Sequence, residues 1–134
     1  MHPFRPIVAL GFSLILASAC GGGGGAGTGA AAGKSALDPS VVAKANEIFV
    51  GRCTPCHGVD GRGDGTASAT LNPKPRNFHD EAWQKSVTDD HIMKIIKMGG
   101  AAVGKSAAMP SNPDITSSQV LTGLKEKVRS FAGK

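Results

Sequence analysis

Apolar positions recur at helical spacing in three stretches of the chain, and each stretch begins with a typical helix signal. The first follows Asp38-Pro39, an N-cap residue with a proline at the first helical position. This pattern predicts a helix that runs to about Val50. Its apolar face is formed by Val41, Ala45, and Ile48 or Phe49.

The second stretch is capped by Thr88 and holds Asp89 and Asp90 in its first turn, where carboxylates interact favourably with the helix dipole. Gly99 stands at the position where many helices end. The apolar stripe between them consists of Ile92, Ile95 and Ile96.

The third stretch opens with Thr116-Ser117-Ser118-Gln119, which has the pattern of a capping box. Its apolar face is formed by Val120 or Leu121, Leu124, Val128 and Phe131. A short helical turn is also predicted from Asn77 to about Gln84. Since no run alternates with the period of a strand, the sequence predicts an all-α domain.

The N-terminal segment resembles an export signal. Arg5 precedes the apolar run Ile7–Ala19, which is too short to span a bilayer but fits a secretory signal over residues 1–19. Its end, Ala17-Ser18-Ala19-Cys20, allows two interpretations. Either Cys20 is lipidated and becomes the new N-terminus, or an ordinary signal peptidase cleaves an A-x-A site. Both interpretations predict an exported protein.

Residues 20–36 are predicted to be a Gly/Ala-rich tether, since they contain no apolar side chain larger than Ala apart from Cys20. The remaining residues, 37–134, are few for a stable core, and only four of them are aromatic. We therefore expect a small domain built around a bound group.

The segment Cys53-Thr54-Pro55-Cys56-His57 is C-x-x-C-H, the attachment motif of c-type haem. Two thiols at this spacing reach the two vinyl groups on one edge of a porphyrin, and the histidine that follows binds the iron. A zinc site would need a second ligand pair, and a thioredoxin-like dithiol would need a βαβ context. A Cys53–Cys56 disulfide would leave His57 unexplained.

Five side chains are candidates for the second axial ligand of the iron: Met93, Met98, Met109, His79 and His91. Met109 precedes Pro110 in a Gly/Ala-rich stretch that is typical of a loop. Met93 and Met98 lie in the second predicted helix, where methionine usually fills the core. Both histidines are expected to be solvated, so the pattern favours Met109.

Over residues 38–131 the chain resembles the small monohaem class I cytochromes c. The segments that carry the resemblance are 46–49 before the motif, the glycine loop 57–65, the proline-bearing stretch 72–78 and the ligand segment 99–110. The resemblance implies a fold of three to four helices around one covalently bound haem, with Cys53 and Cys56 as thioethers and His57 and Met109 as axial ligands.

The resemblance also implies that the first and last helices cross near the haem and that a proline carbonyl accepts from His57. Pro73 and Pro75 are both eligible. The family often has an aromatic residue where this chain has Lys127, and Phe131 is a candidate to supply that ring. The Trp83 indole either contacts a haem propionate or simply packs against its neighbours.

The charge pattern allows two interpretations: a docking surface for a redox protein partner, or a charged surface that is merely solvated. Without the signal peptide the side chains carry 14 positive and 10 negative charges, a balance of +4. Five cations near the expected haem site would attract an acidic docking surface: Lys74, Arg76, Lys94, Lys97 and Lys105. A nucleic-acid partner is not expected, since base-stacking aromatics are lacking.

One further motif is a decoy. Gly99-x4-Gly104-Lys105-Ser106 matches the P-loop pattern, but a helix rather than a strand is predicted before it, so nucleotide binding is not expected.

The sequence thus predicts a single-haem electron carrier, not an enzyme, at the periplasmic or extracytoplasmic face and held to a membrane by Cys20. Two alternatives stay open: a haem subunit of a larger oxidoreductase, and a haem enzyme or gas sensor with an open sixth site.

Overall fold

A computed structural model of the chain describes residues 36–134. The predicted signal peptide, Cys20 and nearly all of the predicted tether lie outside the described residues. Within residues 36–134 the secondary structure is helical, without a strand, which confirms the all-α prediction. The helices are α1 (Pro39–Ile48), α2 (Thr54–His57), α3 (Glu81–Ser86), α4 (Asp89–Met98) and α5 (Ser118–Arg129).

Helix α1 begins as predicted, and the chain stays helical beyond its end. Asp38 caps it by accepting from the backbone N–H of Ser40 at 2.8 Å. A π-type turn, Phe49–Cys53, then joins α1 to α2, whose second residue is Pro55. Because proline has no N–H to donate, this turn lets the chain stay helical up to His57. Helix α1 itself thus ends at Ile48, two residues before the predicted end near Val50, while the helical path continues to His57.

Two other helix starts differ from the prediction. Helix α3 begins at Glu81 because Asp80, not Asn77, accepts from the Trp83 N–H. Asn77 instead caps a tight turn by accepting from the N–H of His79. Helix α5 begins after Ser117, whose hydroxyl accepts from Val120, so the predicted capping box at Thr116 was wrong by one residue.

Helices α1 and α5 pack closely against each other, as predicted. A Cβ atom added at Gly123 would lie 2.9 Å from the Ala45 Cβ, so the absence of a side chain on α5 permits this approach. Next to the contact, the rings of Phe49 and Phe131 lie 5.6 Å apart. Lys127 places its ammonium group 5.1–5.4 Å from both ring centres. Phe131 thus supplies the ring that the sequence lacks at position 127.

Helix α4 is held to α5 by charge as well as by packing. Ile92 and Ile96 are buried in the core, together with Leu124 and Val128 of α5. At the first turn of α4, Asp89 accepts from Lys125 and Arg129, both at about 3 Å. Among residues 36–134 the buried apolar residues are Ala45, Phe49, Phe78, Ile92, Ile96, Ile115, Leu124, Val128 and Phe131.

A polar network connects α3 to the end of α5. The Arg129 guanidinium donates to the Gln84 backbone and side-chain oxygens and to the Val87 carbonyl, at 2.6–2.9 Å. The buried Gln84 amide in turn donates to the carbonyls of Phe78 and Val128. These bonds hold the chain segment that joins α3 to α4 against the C-terminal helix.

Candidate functional site

A cavity of about 920 Å³ opens between α2, the segment 71–78, α4 and the loop that leads to α5. Cys53, Cys56, His57 and Met109 all line it. Its walls are largely apolar, which is typical of a site for a large hydrophobic ligand. The apolar lining includes Leu71, Phe78, Val87, Ile92, Ile95, Ile96 and Val128.

Both cysteines of the motif are free, half-buried thiols at the cavity. Burial raises the pKa of the Cys53 thiol to about 11, although nearby Arg52 acts in the opposite direction. The thiol is therefore protonated at neutral pH. Among residues 36–134, no group of three or more His, Cys, Asp or Glu side chains is placed to hold a metal ion.

The His57 imidazole is fixed from two directions. Its Nδ1 lies 3.1 Å from the Arg76 carbonyl oxygen, and its ring stacks on Phe78 with centroids 4.5 Å apart and an interplanar angle of 16°. Burial lowers the pKa of His57, and the hydrogen bond to Arg76 partly opposes this. Since a carbonyl only accepts, Nδ1 carries the proton and Nε2 keeps its lone pair for a metal.

The carbonyl that holds His57 corrects the prediction. Neither Pro73 nor Pro75 supplies it, although both line the cavity. The Pro75 carbonyl oxygen lies against Gly63 instead, and the next residue, Arg76, presents its carbonyl to the ring.

The glycine loop that follows His57 is folded back onto the motif. Gly63 donates to the His57 carbonyl at 2.7 Å, and Gly65 donates to the Cys56 carbonyl at 3.1 Å. Gly61 and Gly63 have φ angles of 72° and 78°, which favour glycine. A Cβ atom at Gly61 would also lie about 3 Å from the rings of Phe78 and Phe131. The loop thus packs closely against both rings, and the Phe78 ring is the one that stacks on His57.

Met109 is presented by a loop of small residues. Its carbonyl accepts from Gly100 at 3.0 Å, and its N–H donates to the Ser106 carbonyl at 3.2 Å. Asn112 closes the loop onto α4 through bonds to the carbonyls of Ile96 and Lys97, at 2.8 and 2.9 Å. This arrangement places the thioether at the cavity without a helix or strand.

The other four candidates for the second ligand occupy different positions. Met98 is 52% exposed, and neither Met93, Met98 nor His79 lines the cavity. His79 is half-buried, not solvated as predicted, because its ring nitrogens contact the carbonyls of Asp60 and Lys134. His91 is also half-buried and does line the cavity.

Trp83 lines the same cavity and is half-buried. Its ring centre lies 5.8 Å from that of Phe78, and the Arg76 guanidinium lies 5.6 Å from it. The indole thus packs as one of the two predicted interpretations requires, while its contact with a propionate stays a prediction.

The cavity fits a haem on its own chemistry. Two free thiols at the required spacing, an imidazole with one free nitrogen, a thioether and apolar walls meet in one space. The sequence model of the family described as Cytochrome c matches residues 42–126. The chain belongs to the cytochrome c family.

Membership of the cytochrome c family identifies the cofactor as covalently attached haem c, with Cys53 and Cys56 in the attachment region. Haem-based electron transfer is the function of such a domain, and cytochrome c domains are usually extracytoplasmic. A comparison with curated proteins finds no significant match. No helix between residues 36 and 134 is long and apolar enough to cross a membrane.

The P-loop pattern of this cytochrome c lies in a different context from a nucleotide site. Residues 99–106 follow helix α4 and form a 3-10 turn, Ala101–Val103, before the Met109 loop. A phosphate-binding P-loop joins a strand to a helix, which this segment does not do.

Three features of the site were not predicted: the stacking of Phe78 on His57, the Arg76 carbonyl, and the bonds of Arg129 to Gln84. Phe78 is the last residue of the proline-bearing stretch 72–78, which carries part of the family resemblance, so the sequence did contain a signal that this residue lies at the site. The other two depend on how distant segments of the chain meet, for which the sequence has no local signal.

Proposed function

We propose that the domain is a monohaem electron carrier in which His57 and Met109 are the axial ligands of the haem iron. The observation that supports this most is that both side chains line one cavity together with the two attachment thiols. An iron with both axial positions filled by protein exchanges electrons without binding a substrate.

The residues around the cavity have different parts in this function. Cys53 and Cys56 hold one edge of the haem through thioethers. The Arg76 carbonyl and the Phe78 ring fix the orientation of His57. The haem supplies a one-electron cycle between ferric and ferrous iron. Apolar walls exclude water from the metal, which keeps the structural change between the two states small.

Visible spectra of the haem-loaded domain test the axial ligands. We expect a low-spin spectrum in both redox states and the weak far-red band of an iron–methionine bond. Met109→Ala should abolish this band, whereas Met98→Ala, which changes an exposed methionine, should keep it. A high-spin wild type that binds carbon monoxide readily would contradict the proposal and indicate an open sixth site.

The chain is further proposed to be exported and anchored through a lipid on Cys20. The apolar segment before Cys20 and the extracytoplasmic location typical of the family support this. Mass spectrometry of the mature N-terminus distinguishes a diacylated Cys20 from a simple cleavage product. Recovery of unmodified Cys20 from membranes would contradict the anchor.

We also propose that an acidic redox partner docks beside the Met109 loop. Lys74 donates to the carbonyls of Ser68 and Ala69, and Arg76 pairs with Asp80, so neither cation is free. In contrast, three lysines have side chains without an ion pair or hydrogen bond in the described part of the chain: Lys94, Lys97 and Lys105.

Salt dependence of electron transfer tests this docking surface. Replacing Lys94, Lys97 and Lys105 by Gln should lower the second-order rate with a negatively charged redox protein and flatten its salt dependence. A control that replaces Lys44 and Lys85, which pair with neighbouring glutamates, should have a smaller effect per charge removed. Equal effects per charge removed would indicate net charge rather than a docking surface. If the protein co-purifies as part of a larger complex, it would instead be a haem subunit of that complex.

A further inference from the structure

Most polar side chains that line the haem cavity are already bound to other parts of the protein. Their partners are carboxylates, backbone carbonyls or backbone N–H groups at 2.7–3.3 Å. The engaged side chains are Arg52, Lys74, Arg76, Ser86, Thr88, Ser106 and Asn112.

Three donors in the cavity lining are not engaged in this way. Among residues 36–134, no hydrogen bond or ion pair is made by the indole N–H of Trp83, the imidazole of His91 or the ammonium group of Lys105. Lys105 belongs to the loop that carries Met109. Trp83 and His91 belong to one continuous wall, since the residues between them that line the cavity are Ser86, Val87 and Thr88.

The chemistry of haem indicates which groups these three donors would bind. A haem carries two propionate carboxylates, which need hydrogen-bond donors wherever they are withdrawn from water. His91 also lies in the first turn of α4, where the helix dipole favours a negative charge. An iron-binding role is not required of it if Met109 fills the second axial position.

We infer that His91 is a positioning residue for the haem, donating from its imidazole to a propionate carboxylate at the α3–α4 wall. This inference rests on the proposed electron-carrier function. A donor at the propionate offsets part of the carboxylate charge felt by the iron and so favours the ferrous state. A residue in the first turn of α4 thereby raises the reduction potential of the haem.

Redox titration of the haem-loaded domain tests this role. We expect His91→Ala to increase the ferric-to-ferrous ratio at a fixed ambient potential by about threefold, which is the size of a partly exposed ionic contact. For one electron this corresponds to a potential lower by about 30 mV. His91→Gln, which keeps a donor, should recover most of the change. Lys85→Gln, an exposed change on α3 outside the cavity lining, should produce no resolved shift.

The spectrum separates the possible outcomes. If His91 meets a propionate, His91→Ala keeps the low-spin spectrum, the far-red band and the far-UV circular dichroism of the wild type. Loss of the low-spin spectrum in His91→Ala would show that His91 binds iron and would overturn the inference. An unchanged potential, or an equal shift in His91→Gln, would also overturn it. Failure of the proposed function is distinct, because the wild type itself would then lack the far-red band.

Discussion

The two sides of the haem cavity are built in different ways. On the His57 side, the imidazole stacks on Phe78, and Phe78 in turn packs on Phe131 at 6.0 Å. The glycine loop contributes close backbone contacts, such as that between Gly63 and Pro75. The rings belong to the core of the domain, so this side and the fold depend on each other.

The Met109 side depends mainly on backbone hydrogen bonds. Gly100 bonds to Met109 and accepts from Lys105, and Asn112 ties the loop to the end of α4. All residues from 101 to 111 are exposed or half-buried, and none belongs to the core. Few apolar contacts and exposed backbone bonds are features of segments that open at low cost.

This difference indicates a division of roles within a small domain. Covalent attachment and stacked rings hold the His57 side in place, while the Met109 side can change with less effect on the rest of the fold. Substitutions on the His57 side should therefore affect haem retention and global stability. Substitutions on the Met109 side should affect axial ligation first.

The largest expected effect is on the covalent attachment. Replacing both Cys53 and Cys56 by Ala should abolish the haem signal that stays with the polypeptide after denaturing electrophoresis, because no thioether can form. The matched control is Cys20→Ala, which changes the third cysteine and should keep the signal. A haem-stained band from the double variant would contradict the assignment of the attachment site.

Gly63→Ala should produce the next largest effect, on global stability. The φ angle of 78° costs an alanine about 1–2 kcal/mol, and a Cβ atom would collide with the Pro75 carbonyl. We expect the free energy of unfolding to fall by about 3 kcal/mol, measured by guanidinium denaturation.

Gly51→Ala is the control for adding a methyl group. Gly51 lies in the π-type turn, where a Cβ atom meets nothing within 4 Å, so the change should be neutral or stabilising by up to about 1 kcal/mol. Equal losses in the two variants would show that the close contact of Gly63 with Pro75 does not stabilise the domain.

Gly100→Ala probes the Met109 side directly. Gly100 has an ordinary helical φ of −64°, but a Cβ atom there would collide with the Ser106 carbonyl. We expect a local cost of about 1–3 kcal/mol, which displaces the loop rather than unfolding the domain. The far-red band should then be lost at a lower denaturant concentration than the far-UV circular dichroism. If both signals change together, the two sides of the cavity are not separately stable.

The sequence predicted the features that depend on neighbouring residues. Asp38 and Thr88 cap helices as expected, because a side-chain oxygen two or three residues away satisfies a free N–H. The C-x-x-C-H motif predicted the cofactor for the same reason, because the two thiols and the imidazole that bind haem lie within five consecutive residues. Adjacent alternatives were harder to separate, and Ser117 caps α5 where Thr116 was expected.

Features that join distant segments were not predictable from one sequence. Arg76, not a proline, holds His57 because the path of the loop decides which carbonyl faces the ring. Lys125 is only 7% exposed, whereas a charged residue in an amphipathic helix is expected to face solvent. Its ion pair with Asp89 bridges α5 to α4, and no local pattern indicates that contact.

This bridge leads to the smallest of the expected effects. Hydrogen bonds from Arg129 and then Lys125 lower the pKa of Asp89 from its usual 3.8, so the folded state favours the carboxylate. Asp89→Asn should reduce the free energy of unfolding at neutral pH by about 1 kcal/mol, a modest value because the carboxylate is half exposed. Asp90→Asn is the matched control, because Asp90 lies in the same first turn of α4 and experiences the same helix dipole. Among the described residues its carboxylate makes no ion pair, so we expect the free energy of unfolding to fall by only about 0.3 kcal/mol.

The pH dependence of the same pair shows whether ionisation is the cause. Because the folded-state pKa of Asp89 is lowered, its contribution is complete above pH 3.8 and is lost as the pH falls through the lower value. The stability difference between wild type and Asp89→Asn should therefore be constant from pH 7 to about pH 4 and shrink below that. A difference that persists in acid would show that Asp89 stabilises α4 by packing rather than by its charge.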